Sequence, residues 1–312
     1  MLSGRYGATQ NCLVERLVTC VVARHLRVTT MPLTLEQLQE IQSDALADDV
    51  QIDFEKMSLW TVEQATEYFD SGGTVEPSSG PPPLGRKPRV ALLHGTAGNE
   101  KVFGIQLMAL MQKLKPAAES ISTIEGRQVI AKDNPQAASI LKAFGDDQIL
   151  REYATVAVPE DNWRYYPEVN EALSYLEGML SKLPGGSADV LVGFSQGSAM
   201  ISMLAAIMEQ RGTPFRCVIL LSPLLPGYVK QRPELFKKPL STPCFIGYAA
   251  DDPLMYNDKK ECGPDEVAKL WMSERVTKRV HGGPGHRPLP ADKVERVTVA
   301  EEIVALIERS CA

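Results

Sequence analysis

Gly193-Phe194-Ser195-Gln196-Gly197 is a G-x-S-x-G pentapeptide, the pattern of a nucleophilic serine held on a sharp turn between a strand and a helix. An apolar run, Asp189-Val-Leu-Val192, precedes it, and a helical pattern from Gln196 to Glu209 follows. Glycines two before and two after the serine let strand and helix approach closely. The backbone N–H of Gln196, at the helix N-terminus, would then face an oxyanion formed on Ser195. A second donor is expected from the loop Leu93-His94-Gly95-Thr96. Thr96 N–H is the first candidate and Ala97 N–H the second. The string from His94 to Lys101 lacks the GK[ST] ending of a phosphate loop.

A serine hydroxyl needs a general base and an acid that orients it. The chain has 4 histidines: His25, His94, His281 and His286. In a sheet hydrolase the base follows both serine and acid in the chain, which sets aside His25 and His94. His286, in the loop Gly282-Gly-Pro-Gly285-His286, can hang over the serine. His281, ending the strand-like run Val276–Val280, is the alternative. The structural reading, two solvated loop histidines, would leave the elbow without a purpose. The acid is expected after the strand Cys244–Tyr248, where Asp251 and Asp252 both stand, one of them a turn residue facing water.

These residues require strands to carry them. Val90–Leu93, Val190–Val192, Cys217–Leu221 and Cys244–Ile246 read as buried strands. Glu100–Lys113, Pro167–Leu183, Gln196–Glu209, Asp265–Glu274 and Val299–Arg309 read as helices. This alternation predicts an α/β fold, a mostly parallel sheet with helices on both faces. The hydrolase domain is expected over residues 89–312. Before it, residues 74–88 form a Pro/Gly-rich linker and residues 31–73 an acidic arm of short helices. The excess of negative charge sits there: from Leu35 to Glu76 there are 11 acids and one base, Lys56, a net −10, while the whole chain of 312 residues has a net charge of −6. Thr34 with Gln37, and Thr61 with Gln64, fit capping boxes. Helices this short need packing, so the arm is expected to fold on the body. Its charge also offers a surface to a basic protein partner.

Residues 1–30 carry four arginines against one glutamate and read as an organelle transit peptide or as the product of an upstream start, with Met31 the true beginning. Otherwise the six scattered cysteines, with no CxxC pair, favour a reducing, cytoplasmic setting over a disulfide framework or zinc ribbon. No apolar run reaches the length of a membrane span. The remaining body is not basic enough for nucleic-acid binding. No HExxH spacing or dinucleotide fingerprint occurs, so no metal or cofactor is expected.

Leu92-Leu-His-Gly-Thr-Ala-Gly-Asn-Glu-Lys-Val-Phe103, Gly193–Gly197, Leu220-Leu-Ser-Pro223 and Gly285-His-Arg-Pro288 together resemble the FSH family of serine hydrolases. That family includes the ovarian-tumour-associated hydrolases and belongs to the α/β-hydrolase superfamily. The resemblance runs from Arg89 to the C-terminus. Asp252-Pro-Leu254 is similar to the acid loop of acyl-protein thioesterases and related carboxylesterases, which implies Asp252 rather than Asp251. The chain departs from the family in its acidic arm and in the stretch Glu125–Asn162. The resemblance implies a serine carboxylesterase acting on hydrophobic acyl chains, with a Ser195–Asp252–His286 triad and Thr96 and Gln196 as oxyanion donors. An acyl-protein or acyl-carrier thioesterase is the alternative within the class. A catalytically silent ligand-binding module is the alternative outside it. Leu224, Leu225, Pro226, Tyr228, Met255, Tyr256, Trp163, Tyr165 and Tyr166 are candidates for an apolar pocket wall, although such residues more often serve the core.

Overall fold

The computed structural model describes residues 84–158, 163–254, 263–283 and 285–312. The stretch read as an acidic arm, residues 1–30, and Met255 and Tyr256 lie outside them. In chain order the elements are β1 (Arg89–Leu93), α1 (Glu100–Gln106), α2 (Met108–Ala117), β2 (Ser120–Ile124), β3 (Gln128–Val129), α3 (Pro135–Phe144) and β4 (Arg151–Glu152). They continue with α4 (Val169–Leu180), β5 (Val190–Phe194), α5 (Gln196–Gln210), β6 (Cys217–Leu221) and α6 (Tyr228–Gln231). The chain closes with β7 (Cys244–Ala249), α7 (Gly263–Ala268), β8 (Val276–His281) and α8 (Lys293–Cys311).

Six strands form one sheet in the order β2-β1-β5-β6-β7-β8, and every pairing in it is parallel. The central strands β1, β5, β6 and β7 are mostly apolar because both of their faces are covered. Val90, Leu92, Val190, Val192, Cys217 and Ile219 point into one core layer with Phe103, Leu110, Ile303 and Ile307 of α1, α2 and α8. Their neighbours Ala91, Leu93, Leu191, Val218 and Leu220 point into the other, against Leu173 and Leu176 of α4 and Met200 and Leu204 of α5. The period of two along each strand divides the side chains between the layers. This is the α/β-hydrolase arrangement expected from the sequence.

Three local departures have physical reasons. The expected helix 100–113 is interrupted by one residue, Leu107 (φ −96°, ψ 11°), with the hydrogen-bond ladder running on through Leu107 N–H to Phe103 O. The helix expected to reach Glu274 ends at Ala268, because Leu270 O and Met272 N–H pair instead with Leu240. Strand β2, Ser-Ile-Ser-Thr-Ile, is half-buried along most of its length at the sheet edge, so its polar alternation hides it among loop sequences.

The sheet places the functional edge. The chain leaves β1 for β2 on one side and returns to β5 on the other. This reversal opens a crevice at the carboxyl ends of β1 and β5, where open α/β sheets hold their ligands. The stretch after β2 packs back onto that edge. Ile130, Ala137 and Leu141 cluster with Ala97 and Val102, and Gly98 and Arg151 exchange backbone hydrogen bonds at 3.2 and 2.8 Å. No helix among the described residues is long and apolar enough to cross a membrane.

Candidate active site

Ser195 stands between β5 and α5 with φ 53° and ψ −114°, a conformation that non-glycine residues rarely take. The turn is held by Ser195 N–H donating to Leu221 O at 2.9 Å. Close approach explains Gly197: a Cβ there would lie 2.2 Å from Leu93 O and 2.7 Å from His94 O. The loop after β1 therefore runs directly along the start of α5. A Cβ on Gly95 would come within 3.1 Å of the Ser195 Cβ, so this loop also borders the serine.

The amides of Thr96, Ala97 and Gln196 donate to no backbone acceptor among the described residues. For Gln196 this follows from its place in the first turn of α5, where no intrahelical acceptor exists. Its side chain is fully committed elsewhere: Oε1 accepts from Tyr153 N–H at 2.7 Å and Nε2 donates to Ala154 O at 2.6 Å. Gln196 is fully buried and locks the segment after β4 against the elbow. Thr96 is half-buried, whereas Ala97 is buried with φ 57°.

His286 Nδ1 donates to Asp252 Oδ2 at 2.7 Å. Asp252 is fully buried, and its other oxygen accepts from Leu254 N–H at 3.0 Å. A buried carboxylate on Nδ1 fixes the tautomer that leaves Nε2 as the acceptor and stabilises an imidazolium. His286 Nε2 is buried without a hydrogen-bond partner, and the ring lies against Phe194, the residue before the serine, with centroids 4.8 Å apart. No hydrogen bond joins Ser195 Oγ to His286 among the described residues. Such bonds often tighten only when substrate is present.

The alternatives separate. Asp251 is exposed. His281 pairs across the sheet with Ala249, and its Nδ1 faces the carbonyl of its own neighbour, Gly282, at 3.1 Å. Its Nε2 also lacks a partner, but no carboxylate among the described residues hydrogen-bonds the ring, and burial pushes its pKa down.

His94 has a role that sequence reasoning did not find. Gly126 N–H donates to its Nε2 at 2.9 Å, so the ring proton sits on Nδ1 and donates to Gly95 O at 2.7 Å. Burial pushes its pKa below the usual histidine value, consistent with a neutral ring serving both bonds. Tyr153 stacks on it at 5.0 Å, accepts from His94 N–H and donates to Ile124 O. The His-Gly pair marks the loop in sequence, but a ring tautomer has no sequence signal.

Most of the expected pocket residues are core. Leu224, Leu225, Tyr166 and Tyr228 are at most 5% exposed, and the two tyrosines stack on each other. Trp163 and Tyr165 are half-buried, with the Lys230 ammonium over the Trp163 ring. An open cleft of about 730 Å³ beside α3 is lined by Lys132, Leu141, Lys142 and Asp146 and shares no residue with this site, so the chemistry is not assigned to it.

A parallel sheet with its strand–helix elbow at the switch point places the protein in the α/β-hydrolase fold. Residues 84–263 match the model of the family described as Serine hydrolase (FSH1), and the chain belongs to that family of hydrolases. No curated protein matches the sequence. Among solved structures it is similar to Arabidopsis thaliana SOBER1, at 14% identity and a TM-score of 0.45, covering 73% of this chain and 100% of that one. It is also similar to Zea mays acyl-protein thioesterase 2, at 17% identity and a TM-score of 0.45, covering 72% and 96%.

Proposed function

We propose that this serine hydrolase cleaves carboxylic esters with medium to long acyl chains through a Ser195–His286–Asp252 triad. The observation that carries the reading is the 2.7 Å bond from His286 Nδ1 to the buried Asp252, with the free Nε2 on a ring packed beside the serine's elbow. His286 Nε2 takes the Ser195 proton as Oγ attacks the ester carbonyl. The Thr96 and Gln196 amides hold the oxyanion while the tetrahedral intermediate collapses. The imidazolium then gives its proton to the departing alkoxide, leaving an acyl-serine. Water, deprotonated by the same imidazole, attacks the acyl group and restores the free serine.

An acyl series from acetyl to dodecanoyl, offered as oxygen esters and as matching thioesters, tests the substrate class. kcat/KM is expected to rise from acetyl to the medium chains, with oxygen esters preferred. Equal values across the series would contradict an acyl groove. A clear thioester preference would move the protein to the thioesterase alternative.

A further inference from the structure

We propose that Ser222 is a positioning residue, whose hydroxyl holds the loop bearing His286 in register with the nucleophile. The proposal rests on the triad reading above and concerns a residue outside it. Strand β6 lies between β5, which leads to Ser195, and β7, which leads to Asp252. Its last residue, Leu221, and the next, Ser222, bond to all three triad-bearing segments. Leu221 O accepts from Ser195 N–H at 2.9 Å and from Ser198 Oγ at 3.1 Å. Ser222 N–H donates to Gly247 O of β7 at 2.7 Å. Ser222 Oγ donates to Arg287 O, the residue after His286, at 2.8 Å.

The histidine loop needs such a tether. It contains Gly282, Gly283 (φ 98°) and Gly285 (φ 86°), so its backbone has little stiffness of its own. The Asp252 bond grips one ring nitrogen and fixes the orientation of the imidazole. The bond to Arg287 O fixes the backbone from which that imidazole hangs. Together they set both the angle and the distance of Nε2 from the serine, which proton transfer requires.

The backbone at Ser222 points the same way. It is fully buried with φ 44°, a left-handed conformation that glycine adopts more readily than any residue with a Cβ. A strained non-glycine residue persists only where its surroundings over-determine it, and such residues cluster at functional sites. Here the hydroxyl is the group that a glycine would lack.

Ser222→Gly, Ser222→Ala and Ser222→Thr are compared with wild type and Ser195→Ala in ester turnover, in the rate of labelling by a fluorophosphonate, and in Tm. Glycine accepts the backbone angle, so Ser222→Gly is expected to keep its fold and its KM. Its kcat and labelling rate are expected to fall about 10- to 100-fold, the size of effect that a small misplacement of a reacting group produces. Ser222→Ala is expected to lose a similar factor. Ser222→Thr, which retains the hydroxyl, is expected to stay within a few-fold of wild-type kcat even with a lower Tm. Wild-type kcat in Ser222→Gly would overturn the proposal, as would activity that merely follows Tm across the three variants. Labelling of the wild type that persists in Ser195→Ala would instead contradict the triad reading, and this proposal with it.

Discussion

A methyl group at position 197 has no room. Alanine there would put its Cβ 2.2 Å from Leu93 O and 2.7 Å from His94 O, against about 3.3 Å for an ordinary close carbon–oxygen contact. Both obstacles are backbone, so α5 and the loop after β1 must part by about 1 Å. Overpacking of this kind costs about 1–3 kcal/mol, and at about 2–4 °C per kcal/mol for a domain of this size the Tm should fall by several degrees. The moving loop also carries the proposed Thr96 donor, so a displacement of about 1 Å should lower kcat by about 100-fold. Gly178 is the control. It is exposed on α4, and a Cβ built there meets no heavy atom within 4 Å. Gly178→Ala should raise stability by about 0.5–1 kcal/mol and leave turnover unchanged. Thermal unfolding followed by circular dichroism, with ester kinetics on the same preparations, measures both effects. Wild-type Tm and kcat in Gly197→Ala would refute the packing of the β1 loop against the elbow.

Three further outcomes follow from the site. Gln196→Ala leaves Tyr153 N–H and Ala154 O without their partner and should cost about 1–3 kcal/mol for each group left buried and unpaired, while the main-chain N–H of residue 196 remains. Urea titration would show a lower midpoint, and an unchanged one would contradict the locking role. His94 and His281 both have pKa values lowered by burial, so the unfolded chain takes up their protons first as pH falls below about 6.5. Stability should be complete above that value and decline below it, by up to about 1.4 kcal/mol per pH unit for each group until its folded pKa is reached. Urea midpoints that stay flat from pH 7 to 5 would argue against two buried neutral histidines. Asp252→Asn should lower kcat by about 10⁴-fold through loss of the carboxylate that holds the His286 tautomer, measured on the ester that wild type turns over fastest.

The layers of the fold were legible because parallel strands covered on both faces are apolar without interruption. Cys217–Leu221 was delimited residue for residue for that reason. Strand β2 was not, since an edge strand of serine, threonine and isoleucine has the composition of a loop. In the candidate site, Gly197 was legible because close approach admits one residue type. Asp252 could be separated from Asp251 by sequence only through resemblance, whereas in the fold one is buried against His286 and the other faces water. His94 and Ser222 escaped for a different reason. Their roles rest on a ring tautomer and on a side-chain hydrogen bond, set by partners 32 and 65 residues away in the chain.

Fluorophosphonate labelling of wild type beside Ser195→Ala shows whether Ser195 is an activated nucleophile, because the probe reacts with such a serine whatever the natural ester. The wild type should label stoichiometrically at Ser195 and the variant not at all, with a fall in kcat of about 10⁶-fold. A folded wild type that takes no label, or a Ser195→Ala protein that keeps more than about a tenth of its turnover, well above the residue left when a triad serine is removed, would contradict that role.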